Sequence, residues 1–158
     1  MTTQTAHIAA PLKPLRRGRT AAAVAAAVVA NAVLAPATDQ LFHVLEVYPP
    51  WGQAMPDAGD NLLALGYRLA YGVLGGYIAA RLARQDAPGF PMRAALAFGV
   101  VGLVLSAAGA FVTITQFDLG PDWYPLLLVV TAMPAAWLGG VLHGRHTGRG
   151  APAKDSGR

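Results

Sequence analysis

The sequence predicts an all-α, polytopic membrane protein, a bundle of four transmembrane helices, and three observations carry that prediction. Hydrophobic residues make up 54% of the 158 positions and charged residues only 13%, with a mean hydropathy of +0.42. That balance is too apolar for a soluble domain of this length. Four apolar stretches each approach the roughly 20 helical residues needed to cross ~30 Å of hydrocarbon, where no water is present to satisfy a free backbone amide. Basic and acidic residues, finally, are sorted into alternating connections between those stretches.

The first stretch is Ala/Val-rich over residues 20–37 and continues with more polar character to about residue 47. Its basic approach and the Ala35-Pro36-Ala37 sequence resemble a secretory signal with a cleavage site. The apolar run is longer than the usual hydrophobic region of such a signal, so the expectation is a retained helix. The second stretch covers residues 62–82, the third 94–115 and the fourth 124–142. Pro49, Pro50 and Pro56 separate the first two, Pro88 and Pro91 precede the third, and Pro121 and Pro125 flank the start of the fourth. Pro134 lies inside the fourth, where a missing amide and a ring clash predict a kink. The domain division is a basic tail over residues 1–19, a transmembrane unit over 20–142 and a flexible tail over 143–158.

Charge placement predicts direction, because Lys and Arg near helix ends favour the cytoplasmic side. Of the 12 basic residues, 11 fall in the two tails and the middle connection, while the other two connections hold six of the eight acids. Both termini are therefore expected in the cytoplasm, in a bacterial inner membrane. Tyr48 with Trp51, and Trp123 with Tyr124, stand where outer-interface aromatics belong. The net charge of +4 is explained by these short inner segments rather than by a nucleic-acid surface. With no cysteine, the chain has no disulfide and no thiolate chemistry.

Lipid gives apolar burial no advantage, so small residues that let backbones approach should form the helix contacts. The second stretch carries Ala64, Gly72, Gly76 and Ala80 at four-residue multiples, the third Gly102, Ser106 and Ala110, and the fourth Ala132, Ala136, Gly140 and Gly144. Gly72, Gly76, Ala136 and Gly140 are the predicted packing positions. These ladders suit an inner seam, and the other reading is a face for a second copy or a membrane-complex partner. Leu74-Gly75-Gly76 and Leu138-Gly139-Gly140 are each followed by an Arg at the same interval, Arg81 and Arg145. A duplicated helical hairpin, with parallel halves, or mere recurrence of small residues would each explain this.

Arg68 shares the ladder of Gly72 and Gly76, and a charge inside a span is expected to find a partner or to snorkel outward. Asp39 and Glu46, near the outer end of the first stretch, are the nearest candidates for an intramembrane ion pair, with Asp118 a further one. Asp39, His43 and Glu46 share one face if the first helix continues past Pro36, a pattern able to relay protons or hold a metal, though no metal signature accompanies it. No metal or cofactor is expected. Tyr67, Tyr71 and Tyr77 are read as packing aromatics with hydroxyls available to the bundle. No phosphate loop, nucleophile elbow, zinc-protease motif or dinucleotide fingerprint is present, so the sequence predicts no enzyme.

Val47-Tyr48-Pro49-Pro50-Trp51-Gly52, Tyr67-Arg68 with Gly75-Gly76-Tyr77, and Gly120-Pro121 with Trp123-Tyr124-Pro125 resemble segments of small, uncharacterised four-helix bacterial inner-membrane proteins. The resemblance spans residues 41–140 and implies location without activity. The leading expectation is a structural or accessory membrane protein whose partner is the lipid bilayer. A small transporter or proton-coupled carrier with Arg68 as its anion site is the alternative. Arg68 sealed against a carboxylate favours the first; a polar pocket converging on Arg68 favours the second.

Overall fold

A computed structural model describes residues 17–83, 89–117 and 119–149. They form four helices, α1 (Arg17–Val44), α2 (Ala58–Leu82), α3 (Phe90–Gln116) and α4 (Trp123–Arg149), with no strand among the described residues. Each contains a segment long and apolar enough to cross a membrane, which makes the architecture multi-pass. The expected terminal tails lie mostly outside the described residues.

Local chemistry sets the helix boundaries. α1 continues through Pro36 and stops at Val44, where Val47 N donates to Phe42 O at 2.9 Å and Glu46 N to His43 O at 3.2 Å. These paired bonds, with Glu46 at φ 56°, make a Schellman stop in which Glu46 occupies the left-handed position usually given to glycine. α2 starts four residues before the expected boundary at 62, because Asp57 Oδ1 accepts from Gly59 N at 2.7 Å and Asp60 N at 3.2 Å. α3 begins after Gly89, whose φ of 84° turns the chain, with a proline in the first turn. α4 runs to Arg149, beyond the expected end at 142, since no proline or cap interrupts residues 143–149. Pro134 lies inside a continuous α4.

Consecutive helices run antiparallel, so the α1–α2 and α3–α4 connections share one end of the bundle, here called the hairpin end. Backbone binds the two connections there, Met55 N donating to Leu119 O at 2.7 Å. α2 and α3 contact each other and both remaining helices, whereas α1 makes no close approach to α4 among the described residues. A duplicated hairpin with two-fold symmetry would pair α1 with α4 as α2 pairs with α3. The arrangement lacks that equivalence, although α2 and α4 do run parallel, with their Leu-Gly-Gly segments packed together.

The core lies toward the opposite end and is made chiefly of alanine: Ala23, Ala27, Ala79, Ala83, Ala94 and Ala136, with Phe98 as its large side chain. Small residues bring the helices close. A Cβ on Gly76 would stand 2.3 Å from Ala136 O, and one on Gly139 would stand 2.1 Å from Val73 O. Gly140 abuts Ala95 and Met92 on α3, and Gly72 abuts Ala135. The fourth ladder leaves the seam at Gly144, which is exposed and has open space around its α-carbon.

Candidate functional site

The polar residues of the hairpin end converge on one guanidinium. Arg68 lies ten positions into the 25-residue α2, ~15 Å along its axis at 1.5 Å per residue. It is therefore nearer the middle of the helix than an α2 beginning at residue 62 would place it. The antiparallel register of α1 brings Asp39 opposite, and Arg68 Nη2 meets Asp39 Oδ2 at 2.6 Å. The side chains are 27% and 14% exposed, respectively, so the pair is sheltered without being sealed.

Tyrosines complete the cluster. Arg68 Nη1 donates to the Tyr67 hydroxyl at 3.1 Å and to the Tyr124 hydroxyl. Tyr67 in turn donates to Asp39 Oδ1, which leaves both carboxylate oxygens bonded. The guanidinium carbon stands 5.3 Å from the Tyr67 ring centroid and 5.8 Å from that of Tyr124, within cation–π range. One turn further along α2, the Tyr71 hydroxyl and Thr38 Oγ1 bond at 2.7 Å. Tyr67 and Tyr71 thus serve as hydrogen-bonding groups between α1 and α2 as well as packing aromatics. Tyr77 sits at the other end, its hydroxyl 3.4 Å from His146 Nδ1.

Arg68 and Asp39 lie at the inner part of a cavity of about 250 Å³ at the hairpin end. Trp51, Met55, Leu119 and Pro121 give it an apolar wall, while His43, Asn61 and Asp122 add polar groups. Its frame is built by backbone bonds. The buried Asn61 amide donates to Met55 O at 2.8 Å and Asp57 O at 2.7 Å, and Met55 N reaches Leu119 O across the two connections. The Trp51 indole donates to Gln40 Oε1 at 3.1 Å and stacks on His43 with centroids 4.0 Å apart. Burial raises the pKa of Tyr48, despite a lowering influence from Arg68, so its phenol stays neutral at physiological pH and its hydroxyl donates to Asp60 O at 3.4 Å.

Of the five N–H groups of a guanidinium, three are engaged by Tyr67, Tyr124 and Asp39. The other two are not taken by these partners. The Tyr124 hydroxyl accepts from Arg68 and keeps its own proton to donate. The cluster therefore offers several donors beside one carboxylate, able to hold a carboxylate or phosphate oxygen on the arginine.

Other expected site residues fall elsewhere. Glu46 is exposed beyond the end of α1 and serves as its terminator, so the carboxylate on Arg68 is that of Asp39 alone among the described residues. Asp118 lies outside the described residues. The face shared by Asp39, His43 and Glu46 is broken by that helix stop, and no cluster of three His, Asp or Glu able to hold a metal occurs among the described residues. Tyr124, expected only as an aromatic of the outer interface, is a partner of Arg68 that the sequence did not indicate. In comparisons with known proteins, the chain matches no family model, no curated protein and no solved structure.

Proposed function

We propose that this chain is a small membrane carrier or receptor that binds an oxyanion on Arg68, reached through the hairpin-end cavity. The observation that carries this reading is the cavity itself: its polar inner part contains Arg68, and its wall supplies apolar surface for an organic body. The distribution of basic residues supports a hairpin end on the outer side of a bacterial inner membrane and cytoplasmic termini. Reporter fusions after Gln53 and at the C-terminus test that topology; periplasmic activity is expected only at the first.

Ligand binding is tested on the full chain in mild detergent by thermal shift and, in a Trp123→Phe/Trp137→Phe background, by Trp51 fluorescence, with lactate and inorganic phosphate as probes. Either probe should raise the melting temperature and change the Trp51 signal. Arg68→Lys should weaken binding, because Lys keeps the charge but loses the planar fork. Nanodiscs of phosphatidylglycerol or phosphatidylcholine separate a lipid headgroup from a soluble ligand. Stabilisation by the anionic lipid alone, with no response to either soluble probe, rejects the solute-binding reading.

A second reading, an accessory protein whose bundle is pinned by the ion pair, is favoured by the hydrogen bonds made by both oxygens of Asp39. On that reading Arg68→Lys changes stability and no probe binds.

A further inference from the structure

A second cavity, of about 220 Å³, lies deeper in the bundle, and its wall takes residues from all four helices. Asn31, Ser106 and Thr131 bring polar groups to it, and Gly102 leaves it space. Arg68 lines this cavity as well as the hairpin-end one, and among the described residues no other lines both. An arginine that only closed the floor of a surface pocket would have packed side chains beneath it. Here it has a second compartment. The space is not a by-product of close packing, since a Cβ on Gly102 would approach nothing nearer than Ala132 Cβ at 4.0 Å.

We infer that the two cavities are successive compartments of one solute path, and that Arg68 is the gate between them. This deepens the oxyanion-binding reading and rests on it. An oxyanion entering the hairpin-end cavity competes with Asp39 for Arg68 Nη2. Asp39 keeps the Tyr67 hydroxyl when the guanidinium leaves, so its carboxylate retains one partner. Arg68 is then free to turn with its ligand toward the deeper cavity, where the Asn31 amide and the Ser106 hydroxyl replace part of the lost hydration. Two small chambers in series suit a compact ligand such as a short-chain carboxylate or phosphate.

The full chain reconstituted in vesicles tests this with [14C]lactate and [32P]phosphate. Uptake by the wild type above protein-free vesicles is expected for at least one probe that binds. Gly102→Leu fills the deeper cavity from a position with room for a side chain, and should abolish uptake while leaving binding in the first cavity unchanged. Ser106→Leu, one turn away on the same wall, should do the same and guards against a folding defect peculiar to position 102. Arg68→Ala should lose both binding and uptake. Wild-type binding without uptake, or equal uptake by the wild type and a Gly102→Leu protein that still binds, overturns the path but leaves the binding site standing. Absence of wild-type binding removes the site itself.

Discussion

Glycine does opposite things in the two halves of this bundle. Toward the end that carries the core, Gly76 and Gly139 let α2 and α4 touch backbone to backbone. Toward the hairpin end, Gly102 borders an unfilled cavity. Gly76 and Gly102 are both glycines on a four-residue ladder, so the ladder alone does not say whether a close contact or a void results. The neighbour decides. Gly76 faces the main chain of Ala136, which cannot retreat without breaking α4, whereas Gly102 faces a methyl group at the limit of contact.

Substitutions can break this contrast. Gly76→Leu should cause the largest loss, since even a Cβ there overlaps backbone; overpacking costs about 1–3 kcal/mol in ordinary cores and should reach or exceed the top of that range here. Thermal unfolding in detergent reports it. Gly102→Ala, at the same kind of ladder position, should leave the midpoint nearly unchanged. Comparable losses at both sites would mean that the space beside Gly102 is closed in the folded bundle. Leu74→Ala is the control within the seam helix: its side chain is 41% exposed on the outer face of α2 and should contribute little.

The ion pair sharpens the comparison at intermediate scale. Arg68→Ala leaves the Asp39 carboxylate with one tyrosine for company, at a cost of about 2 kcal/mol, below the 3–5 kcal/mol of a fully buried pair because water reaches the cavity. Adding Asp39→Asn should recover part of the loss, and a double-mutant cycle should show coupling above the roughly 0.5 kcal/mol scatter of independent sites. Glu46 combined with Arg68 should be additive. The smallest effect belongs to Glu46→Gly, which relieves a left-handed backbone and should stabilise by about 0.5 kcal/mol after the added flexibility of the unfolded chain is subtracted.

The spans were legible because residues that must satisfy their own backbone in lipid form long uninterrupted apolar runs, and prolines mark the breaks. Helix ends were less so. The cap at Asp57 and the stop at Glu46 depend on one or two local hydrogen bonds that apolar periodicity does not encode. Arg68 stood out as a lone charge, yet the choice between Asp39 and Glu46 turned on where α1 stops. Tyr124 comes from the other hairpin, and its meeting with Arg68 depends on the rotation of α4 about its own axis. Nothing in the local sequence reports that rotation. The paired Leu-Gly-Gly segments were visible, but the missing α1–α4 contact, which breaks the symmetry they suggest, is a property of the assembled bundle.

The position of Asp39 bears on how the chain is made. Asp39, Thr38, Tyr67, Arg68 and Tyr71 all belong to the first hairpin, and their bonds join α1 to α2. The costliest side chain to place in lipid thus has its counter-charge in a helix synthesised before it. The first hairpin can neutralise its own arginine while the second is still to be translated, and Tyr124 joins an arrangement already formed. The second hairpin, which contains no charged residue between Arg93 and Gln116 or between Trp123 and Leu142, enters the bilayer without such help. The order of synthesis therefore sets the difficult half of the molecule first and leaves the simpler half to close over it.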